Sequence, residues 1–181
     1  MKAVHLPIPG LMLLEPTVHH DERGFLYESF NQRAFNEATG THYQFVQDNH
    51  THSAKGVLRG MHYQTQQPQG KLVRVVRGAV YDVVVDIRRD SPAFGQWYGL
   101  TLSESSCTQL WIPPGLAHGF LTLSDGAELL YKMTDYYAPQ HEGCLAWNDP
   151  VVGIVWPLQQ HGIAQPMLSA KDQVGKALSD I

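Results

Sequence analysis

The stretch LVRVVRGAVYDVVVDI, residues 72–87, decides the fold class of this 181-residue chain. Val and Ile dominate it, and β-branched residues fit the pleated surface of a strand better than a helix. A glycine, Gly78, divides the run into two strand-like segments, Leu72–Val76 and Val80–Ile87. Two such segments on either side of a glycine turn predict a β-hairpin.

Further short strands follow this hairpin at nearly regular spacing. The turn clusters RRDSPAFG, SESS, PPG and SDG separate them. We place these strands at residues 96–102, 108–112, 119–123 and 128–136. Many short strands between turns are typical of an antiparallel sandwich or barrel, and not of alternating strand–helix units.

Two helices are predicted outside this strand-rich region. Asn31 is a favourable N-cap and Gly40 a favourable stop, so a helix is expected at Gln32–Thr39. The segment LSAKDQVGKAL, residues 168–178, predicts a second short helix, which would begin with a capping box from Ser169 to Asp172.

The composition describes one folded domain. Apolar residues make up 43% of the chain and charged residues 17%, which excludes a disordered chain, so we treat residues 1–181 as a single domain. The net charge of −4 comes without a basic stripe, so no nucleic-acid partner is predicted. No apolar run reaches the ~18 residues of a membrane helix, and no membrane or signal segment is predicted. Cys107 and Cys144 lack CxxC spacing, which is typical of reduced thiols in a cytoplasmic protein.

The run PPGLAHGF, residues 113–120, carries the first chemical signal. Pro113, Gly115 and His118 stand between two strands, in a tight turn that aims His118 at the interior of a barrel. This pattern resembles the second signature of the cupin barrels, whose histidine often binds a metal. We therefore expect a mainly β chain, folded as an antiparallel cupin-type jelly-roll barrel with a few short helices.

The first cupin signature is altered in a way that removes a metal site. That signature has two histidines one residue apart and then a glutamate, whereas MHYQTQQPQGK, residues 61–71, keeps only His62. Gln64 replaces the second histidine, and Lys71 lies near the place of the glutamate. Because an ammonium favours an anion over a cation, we predict no metal and disfavour a metal-dependent dioxygenase.

Basic residues are concentrated around His62. Arg59, Lys71, Arg74 and Arg77 lie with it in one stretch of the chain, but strand alternation puts Arg74 on the opposite face from Lys71. We interpret Arg74 and Arg77 as residues of a solvated outer face, and Arg59 and Lys71 as site residues because they flank the histidine.

The order and content of several blocks resemble the dTDP-4-dehydrorhamnose 3,5-epimerases. The resemblance covers residues 15–172 and rests on long blocks in the right order. These include DERGFLYESF (21–30), QDNH (47–50), VLRGMHYQ (57–64), LWIPPGLAHGFLTLSD (110–125) and ELLYKMTDYYAP (128–139). Members of that family are cofactor-free, dimeric cupin-fold enzymes that act on dTDP-4-dehydro-6-deoxy-D-glucose on the route to dTDP-L-rhamnose.

The resemblance implies a set of catalytic residues and no cofactor. Inverting carbons 3 and 5 of a 4-keto sugar requires a base, an acid on the other face of the ring and a positive charge near the enolate. The corresponding residues are His62 as base, Asp172 as its carboxylate partner, Tyr131 as proton donor and Lys71 beside the enolate.

Each catalytic assignment has a structural alternative. A histidine in a strand, such as His62, is often a hydrogen-bonded core residue, and Tyr131 could be an ordinary strand aromatic. Asp172 is also the last residue of the capping box that begins at Ser169, where it would only close a helix N-terminus.

The resemblance also implies where a nucleotide sugar binds. The residues that it assigns to substrate contacts are Arg23, Glu28, Gln47, Asn49, Arg59, Lys71, His118, Tyr137, Glu142 and Lys171. A homodimer is implied, in which Arg23 and Glu28 act either in their own subunit or in the partner's. Two alternatives stay open: a relative that inverts one carbon for another deoxysugar route, and a sugar-binding module without turnover.

Overall fold

The computed structural model describes residues 1–181 as two antiparallel sheets and a separate hairpin. The strands are β1 Lys2–His5, β2 Met12–Glu15, β3 His19–Asp21, β4 Gly24–Leu26, β5 Gln47–Ala54, β6 Leu58–Gln64, β7 Lys71–Arg77, β8 Ala79–Asp86, β9 Trp97–Ser103, β10 Gln109–Ile112, β11 Leu116–Thr122, β12 Gly126–Met133 and β13 Glu142–Cys144. One sheet has the order β1-β2-β10-β7-β12-β5 and the other the order β13-β6-β11-β8-β9, while β3 and β4 pair only with each other. The predicted antiparallel β fold is confirmed.

The main core lies between the two sheets. Val73 and Leu129 from the first sheet pack in one buried cluster with Val84, Leu116 and Phe120 from the second. The inward residues alternate with outward ones along each strand, as a two-layer β fold requires. The four strands predicted after the hairpin are confirmed, with ends that differ by at most three residues.

The predicted hairpin across Gly78 is wrong. Both strands form, but β7 pairs with β10 and β12, whereas β8 pairs with β9 and β11 in the other sheet. Gly78 has φ +74, and a Cβ there would come within 2.2 Å of the Gly126 carbonyl oxygen. The glycine is therefore required where the chain crosses from one sheet to the other.

The first predicted helix is confirmed at both ends. Helix α1 spans Gln32–Thr39, with the Asn31 side chain accepting hydrogen bonds from two backbone N–H groups and Gly40 in the αL conformation. Phe35 of α1 packs edge-on against Trp111, with the ring centroids 5.0 Å apart, on the outer face of the first sheet. None of the helices is both long enough and apolar enough to span a membrane.

The C-terminal segment covers the outer face of the second sheet. Leu145, Val152 and Leu178 pack there against Met61 and Val83. The second short helix predicted at residues 168–178 is not an α-helix, because the segment forms two short 3₁₀ helices at Asp172–Val174 and Leu178–Asp180. The helix is interrupted at Gly175. The backbone of this residue is extended (φ −56, ψ 147) and not helical, so the first 3₁₀ helix ends after three residues.

Candidate active site

A cavity of about 520 Å³ opens between the two sheets at one end of the barrel. It has a mostly polar lining that comes from both sheets. The predicted site residues that line it are Gln47, Asn49, Arg59, His62, Lys71, His118, Tyr131, Tyr137 and Glu142. Arg74 and Arg77 do not line it: Arg74 donates to the Tyr27 hydroxyl, and Arg77 pairs with Glu128 at the surface.

A β-bulge brings Arg59 and His62 to the same cavity, although residues three apart in a regular strand face opposite sides. His118 of β11 is opposite His62 in β6, but Phe120 is opposite Arg59, so β6 contains one extra residue here. Gly60 has φ +121, and a Cβ on it would lie 2.5 Å from the Cα of Gly119. Only glycine allows the two strands to approach in this way.

His62 and Asp172 form a close pair, although they are 110 residues apart in the sequence. The His62 Nε2 and Asp172 Oδ1 atoms are 2.6 Å apart, and the Asp172 carboxylate is almost fully buried. A carboxylate only accepts, so Nε2 carries the proton and Nδ1 keeps the basic lone pair. Burial lowers the pKa of His62, although Asp172 opposes this effect, so the ring is held as a neutral base.

Asp172 takes part in helix capping, the alternative role considered for it, only through its backbone N–H. The Asp172 N–H donates to the Ser169 hydroxyl at 3.2 Å, which is one half of a capping box. The Asp172 side chain, however, contacts His62. The backbone cap and the side-chain hydrogen bond with His62 are therefore compatible, because they use different atoms of the residue.

Tyr131 lies on β12 in the first sheet, whereas His62 lies on β6 in the second. Because both side chains line the cavity between the sheets, a ring bound there has one of them on each side. Burial raises the pKa of Tyr131, while Asn49 and Arg59 act in the opposite direction. The cation that favours the phenolate is thus Arg59.

Lys71 is buried, yet its ammonium forms no hydrogen bond or ion pair with the rest of the chain. Burial lowers its pKa to about 8, and the negative charge of Asp82 limits that decrease. A buried cation with unused donors inside a cavity is suited to an oxygen atom of a ligand that carries or acquires negative charge.

His118 is held by Asp82, a residue to which the sequence assigned no role. The His118 Nε2 atom lies 2.9 Å from both carboxylate oxygens of Asp82, and both residues are buried. Asp82 faces the barrel interior among Val80 and Val84. The available signal was two carboxylates, Asp82 and Asp86, inside a valine-rich strand, since such groups are rarely buried without a partner.

Glu142, Lys171 and Tyr137 form a hydrogen-bonded group at the cavity mouth. Glu142 accepts from the Tyr137 hydroxyl at 2.9 Å and from the Lys171 ammonium. Burial opposes ionisation of Glu142, but these two donors outweigh it and lower the pKa. The group presents a phenol ring and fixed charges to the solvent side of the cavity.

Gln47, Asn49 and Arg59 are oriented by neighbouring side chains and backbone. Gln47 donates to the Asn49 side-chain oxygen at 3.0 Å and accepts from the Tyr137 backbone N–H. Arg59 donates to Ser53 through Nε at 2.9 Å, which leaves Nη1 of its guanidinium without a partner. Such a fork is suited to phosphate oxygens.

Gln64 has a structural role in the loops beside the cavity. Its side-chain nitrogen donates to the Gln67 carbonyl at 2.7 Å, and its oxygen accepts from the Ala138 N–H at 2.9 Å. Both ends of the amide are therefore used by the backbone, at the position where a cupin signature has its second histidine.

Two predicted substrate residues lie away from the cavity of the single chain, and a third, Lys171, does not line it but bonds to the lining residue Glu142. Arg23, at the turn of the β3–β4 hairpin, is exposed and bonded to Asp21, and Glu28 accepts from Asn31. The same hairpin exposes Phe25 and Leu26, at 62% and 74%. Neither Arg23 nor Glu28 lines this chain's own cavity.

The cavity is a site for general acid–base chemistry on a polar small molecule. It combines a histidine–aspartate pair, a tyrosine on the facing sheet and an unpaired ammonium. The family model described as dTDP-4-dehydrorhamnose 3,5-epimerase matches residues 5–180. The chain belongs to this family.

Individual relatives agree over the full length. A dTDP-4-dehydrorhamnose 3,5-epimerase of Pseudomonas aeruginosa is 58% identical, over 99% of this chain and 97% of that protein. The Legionella pneumophila enzyme RmlC, solved with dTDP-4-keto-L-rhamnose, has a TM-score of 0.95 at 49% identity, over 99% of this chain and 94% of that one. ChmJ, a 3'-monoepimerase of Streptomyces bikiniensis solved with dTDP-quinovose, has a TM-score of 0.89 at 38% identity, over 96% and 86%.

Proposed function

We propose that this enzyme converts dTDP-4-dehydro-6-deoxy-D-glucose to dTDP-4-dehydro-L-rhamnose, by epimerisation at carbons 3 and 5 and without a cofactor. The observation that carries the proposal is the unpaired ammonium of Lys71, inside a cavity with His62 on one sheet and Tyr131 on the other. The family and its relatives identify the nucleotide sugar on which such a site acts.

His62 removes the proton from carbon 3 or carbon 5, each of which is next to the 4-keto group. The neutral ring accepts the proton at Nδ1, and the imidazolium that forms keeps its Nε2–H bonded to Asp172. The carboxylate fixes the tautomer before the transfer and stabilises the positive charge after it.

Lys71 stabilises the enolate that forms when the C–H electron pair moves toward the ketone oxygen. An ammonium in a buried position is more effective at this than one in water, because the surrounding dielectric is lower. With a pKa of about 8, Lys71 is mostly charged at neutral pH and carries the required positive charge.

Tyr131 returns a proton to the carbon from the opposite face, which inverts the centre. Its raised pKa keeps the phenol protonated until the transfer, and Arg59 favours the phenolate that is left. Solvent then removes the proton from His62 and restores the one on Tyr131, so the enzyme ends the reaction unchanged.

The remaining cavity residues bind the substrate. We assign Arg59 to a phosphate, Gln47 and Asn49 to the nucleotide end, and His118 to the sugar. The Tyr137, Glu142 and Lys171 group closes the mouth of the cavity around the bound molecule.

We further propose a homodimer in which the β3–β4 hairpin reaches the partner's cavity. The hairpin exposes Phe25 and Leu26 and holds Arg23 away from its own site, which supports an action in trans for Arg23 and Glu28. Apolar residues this exposed are typical of an interface. A mixture of Arg23→Ala and His62→Asn subunits should regain activity if the site is shared.

The proposed setting is the cytoplasm. Both cysteines, Cys107 and Cys144, are free. Free thiols agree with a reducing compartment, which is the reason for this part of the proposal.

A second candidate is a single-carbon epimerase, because ChmJ has the same fold and acts at one position. The higher identity to 3,5-epimerases favours the double reaction. The fold alone does not separate the two, since both reactions need the same base and acid.

Proton NMR of dTDP-4-dehydro-6-deoxy-D-glucose with the enzyme in heavy water tests the proposal. We expect deuterium at both carbons, and a product that a 4-keto reductase converts to dTDP-L-rhamnose. Deuterium at one carbon only would establish the second candidate. No exchange at either carbon would overturn both.

A further inference from the structure

A second set of chemical groups meets at His62, at the edge of the second sheet where β13 lies. A ring nitrogen of His62, the Sγ of Cys144 and a carboxylate oxygen of Asp172 all lie within 4.8 Å of one another, and Nε2 is the His62 atom that contacts Asp172. The Cys144 Sγ and Asp172 Oδ1 atoms are 3.9 Å apart. The mechanism proposed above gives Cys144 no role.

The backbone holds these three residues together. Cys144 of β13 is the direct register partner of His62 in β6, so their side chains lie on the same face. Asp172 comes from the C-terminal segment, which the Lys176 N–H ties to the Cys144 carbonyl at 2.8 Å. The three donors are therefore preorganised, and no loop has to move to gather them.

We propose that His62, Cys144 and Asp172 form an inhibitory binding site for a borderline-soft divalent cation such as Zn²⁺. Sulfur, imidazole nitrogen and carboxylate oxygen are the ligands of zinc, which takes three protein ligands and an exchangeable fourth in open sites. At Zn–ligand distances of about 2.0–2.3 Å, tetrahedral ligands lie roughly 3.4 Å apart. The His62–Asp172 pair has to open by less than about 1 Å to reach this separation.

This site differs from the metal site of cupins, which lies inside the barrel. There Lys71 contributes a positive charge and Gln64 has both ends of its amide bonded to backbone groups. The site at His62 and Cys144 also has an ammonium nearby, Lys171, but that ammonium is bonded to Glu142. The site uses Cys144, which lies outside both cupin signatures.

Binding inhibits through the tautomer of His62. The metal takes the Nε2 lone pair, so the ring proton moves to Nδ1, the atom that has to accept the carbon-bound proton. The Cys144 thiol releases its own proton to solvent, so one proton leaves the protein for each ion bound. His62 then has no free lone pair, and Asp172 binds the metal in place of the imidazole N–H.

Isothermal titration of untagged protein with Zn²⁺ alone, without substrate, tests the site. We expect one tight equivalent for the wild type, and affinity at least about tenfold weaker for Cys144→Ala. Cys107→Ala is the matched control, because Cys107 is the other cysteine and lies at an exposed turn. Equal affinity of wild type and Cys144→Ala would overturn the proposal.

Cobalt and turnover provide two further measurements. Co²⁺ should give a thiolate-to-metal absorption band in wild type and Cys107→Ala but not in Cys144→Ala. Zinc should inhibit the first two proteins, with reversal by EDTA, while Cys144→Ala turns over normally and resists inhibition. Absence of the band in wild type, or equal inhibition of Cys144→Ala, would overturn the site. Zinc binding is measured without substrate, so its failure is distinct from failure of the proposed epimerase activity.

Discussion

The molecule contains two histidine–aspartate pairs that are built in different ways. In one, His62 on β6 meets Asp172, which the C-terminal segment brings from 110 residues away. In the other, His118 on β11 meets Asp82 on the adjacent strand β8, within the same sheet. His62 is about one-third exposed, whereas His118 and Asp82 are buried.

The difference in construction indicates a difference in role. Asp172 approaches His62 with one oxygen at 2.6 Å, which leaves the rest of the ring open to the cavity. Both carboxylate oxygens of Asp82 lie 2.9 Å from one nitrogen of His118. The negative charge of Asp82 also raises the pKa of Lys71. We infer that the first pair transfers protons, while the second fixes the position of His118 and the charge of Lys71.

The largest expected effect follows from removing the base. His62→Asn should lower kcat by at least about 10³-fold, because general base catalysis at this carbon is lost. Deuterium exchange at both carbons should fall with it, while dTDP still binds through Arg59. Exchange by NMR and dTDP titration measure the two quantities separately.

The matched control for that variant is His50→Asn. His50 lies at the rim of the same cavity and pairs with Glu128 at 3.1 Å. We expect nearly normal turnover. If His50→Asn is as inactive as His62→Asn, the assignment of the base is wrong.

The second effect concerns the partner of the base. Asp172→Asn should lower kcat by about 10²-fold, because an amide neither fixes the tautomer of His62 nor stabilises the imidazolium. Thermal unfolding should change little in comparison, since Ser169 still accepts from the backbone N–H at this position. A normal kcat in Asp172→Asn would mean that the Asp172 carboxylate has no part in the reaction.

The third effect concerns the buried pair and appears in the pH profile. The Lys71 ammonium, with a pKa of about 8, is lost as the pH rises through that value, so kcat/KM should fall above about pH 8. Asp82 raises the pKa of Lys71, so Asp82→Asn should move this decline to lower pH. A displacement of about one pH unit would reduce kcat/KM at pH 7 by roughly twofold.

Asp86→Asn is the control for this prediction. Asp86 is equally buried on the same strand, but it bonds to Arg88 and Ser91 and lies outside the cavity. Its loss should lower stability and leave the pH profile unchanged. An unchanged profile in Asp82→Asn as well would remove Asp82 from control of Lys71.

Local features of the fold were predictable, whereas the partners of strands were not. The ends of α1 follow from Asn31 and Gly40, because capping depends on neighbouring residues. Periodicity identified β7 and β8 as strands, but it contains no information about which strand lies beside them. The chain therefore crosses between sheets at Gly78, where the sequence alone favoured a hairpin.

In the active site, too, single residues were predictable from the sequence, whereas their contacts with distant residues were not. Lys71 and His62 were identifiable as unusual polar residues among apolar neighbours, but the pairing of His62 with Asp172 came only from the family resemblance. Spacing cannot indicate a contact across 110 residues. The bulge at Gly60, which puts Arg59 beside His62, depends on the register of β6 and β11 and was not predicted.

The smallest effect concerns how each carboxylate is held in place: Asp172 lies on a turn of the C-terminal segment, whereas Asp82 lies on the central strand β8. Ser169→Ala removes the hydroxyl that accepts from the Asp172 N–H at 3.2 Å, and loss of such a cap costs about 0.5–2 kcal/mol of stability. Because the bridge between Leu145 and Lys176 still holds the segment, we expect kcat to fall by no more than about threefold. Thermal unfolding and kcat, measured together, check both values. A loss of activity as large as that of Asp172→Asn would mean that the turn, rather than the carboxylate, controls the position of the first pair.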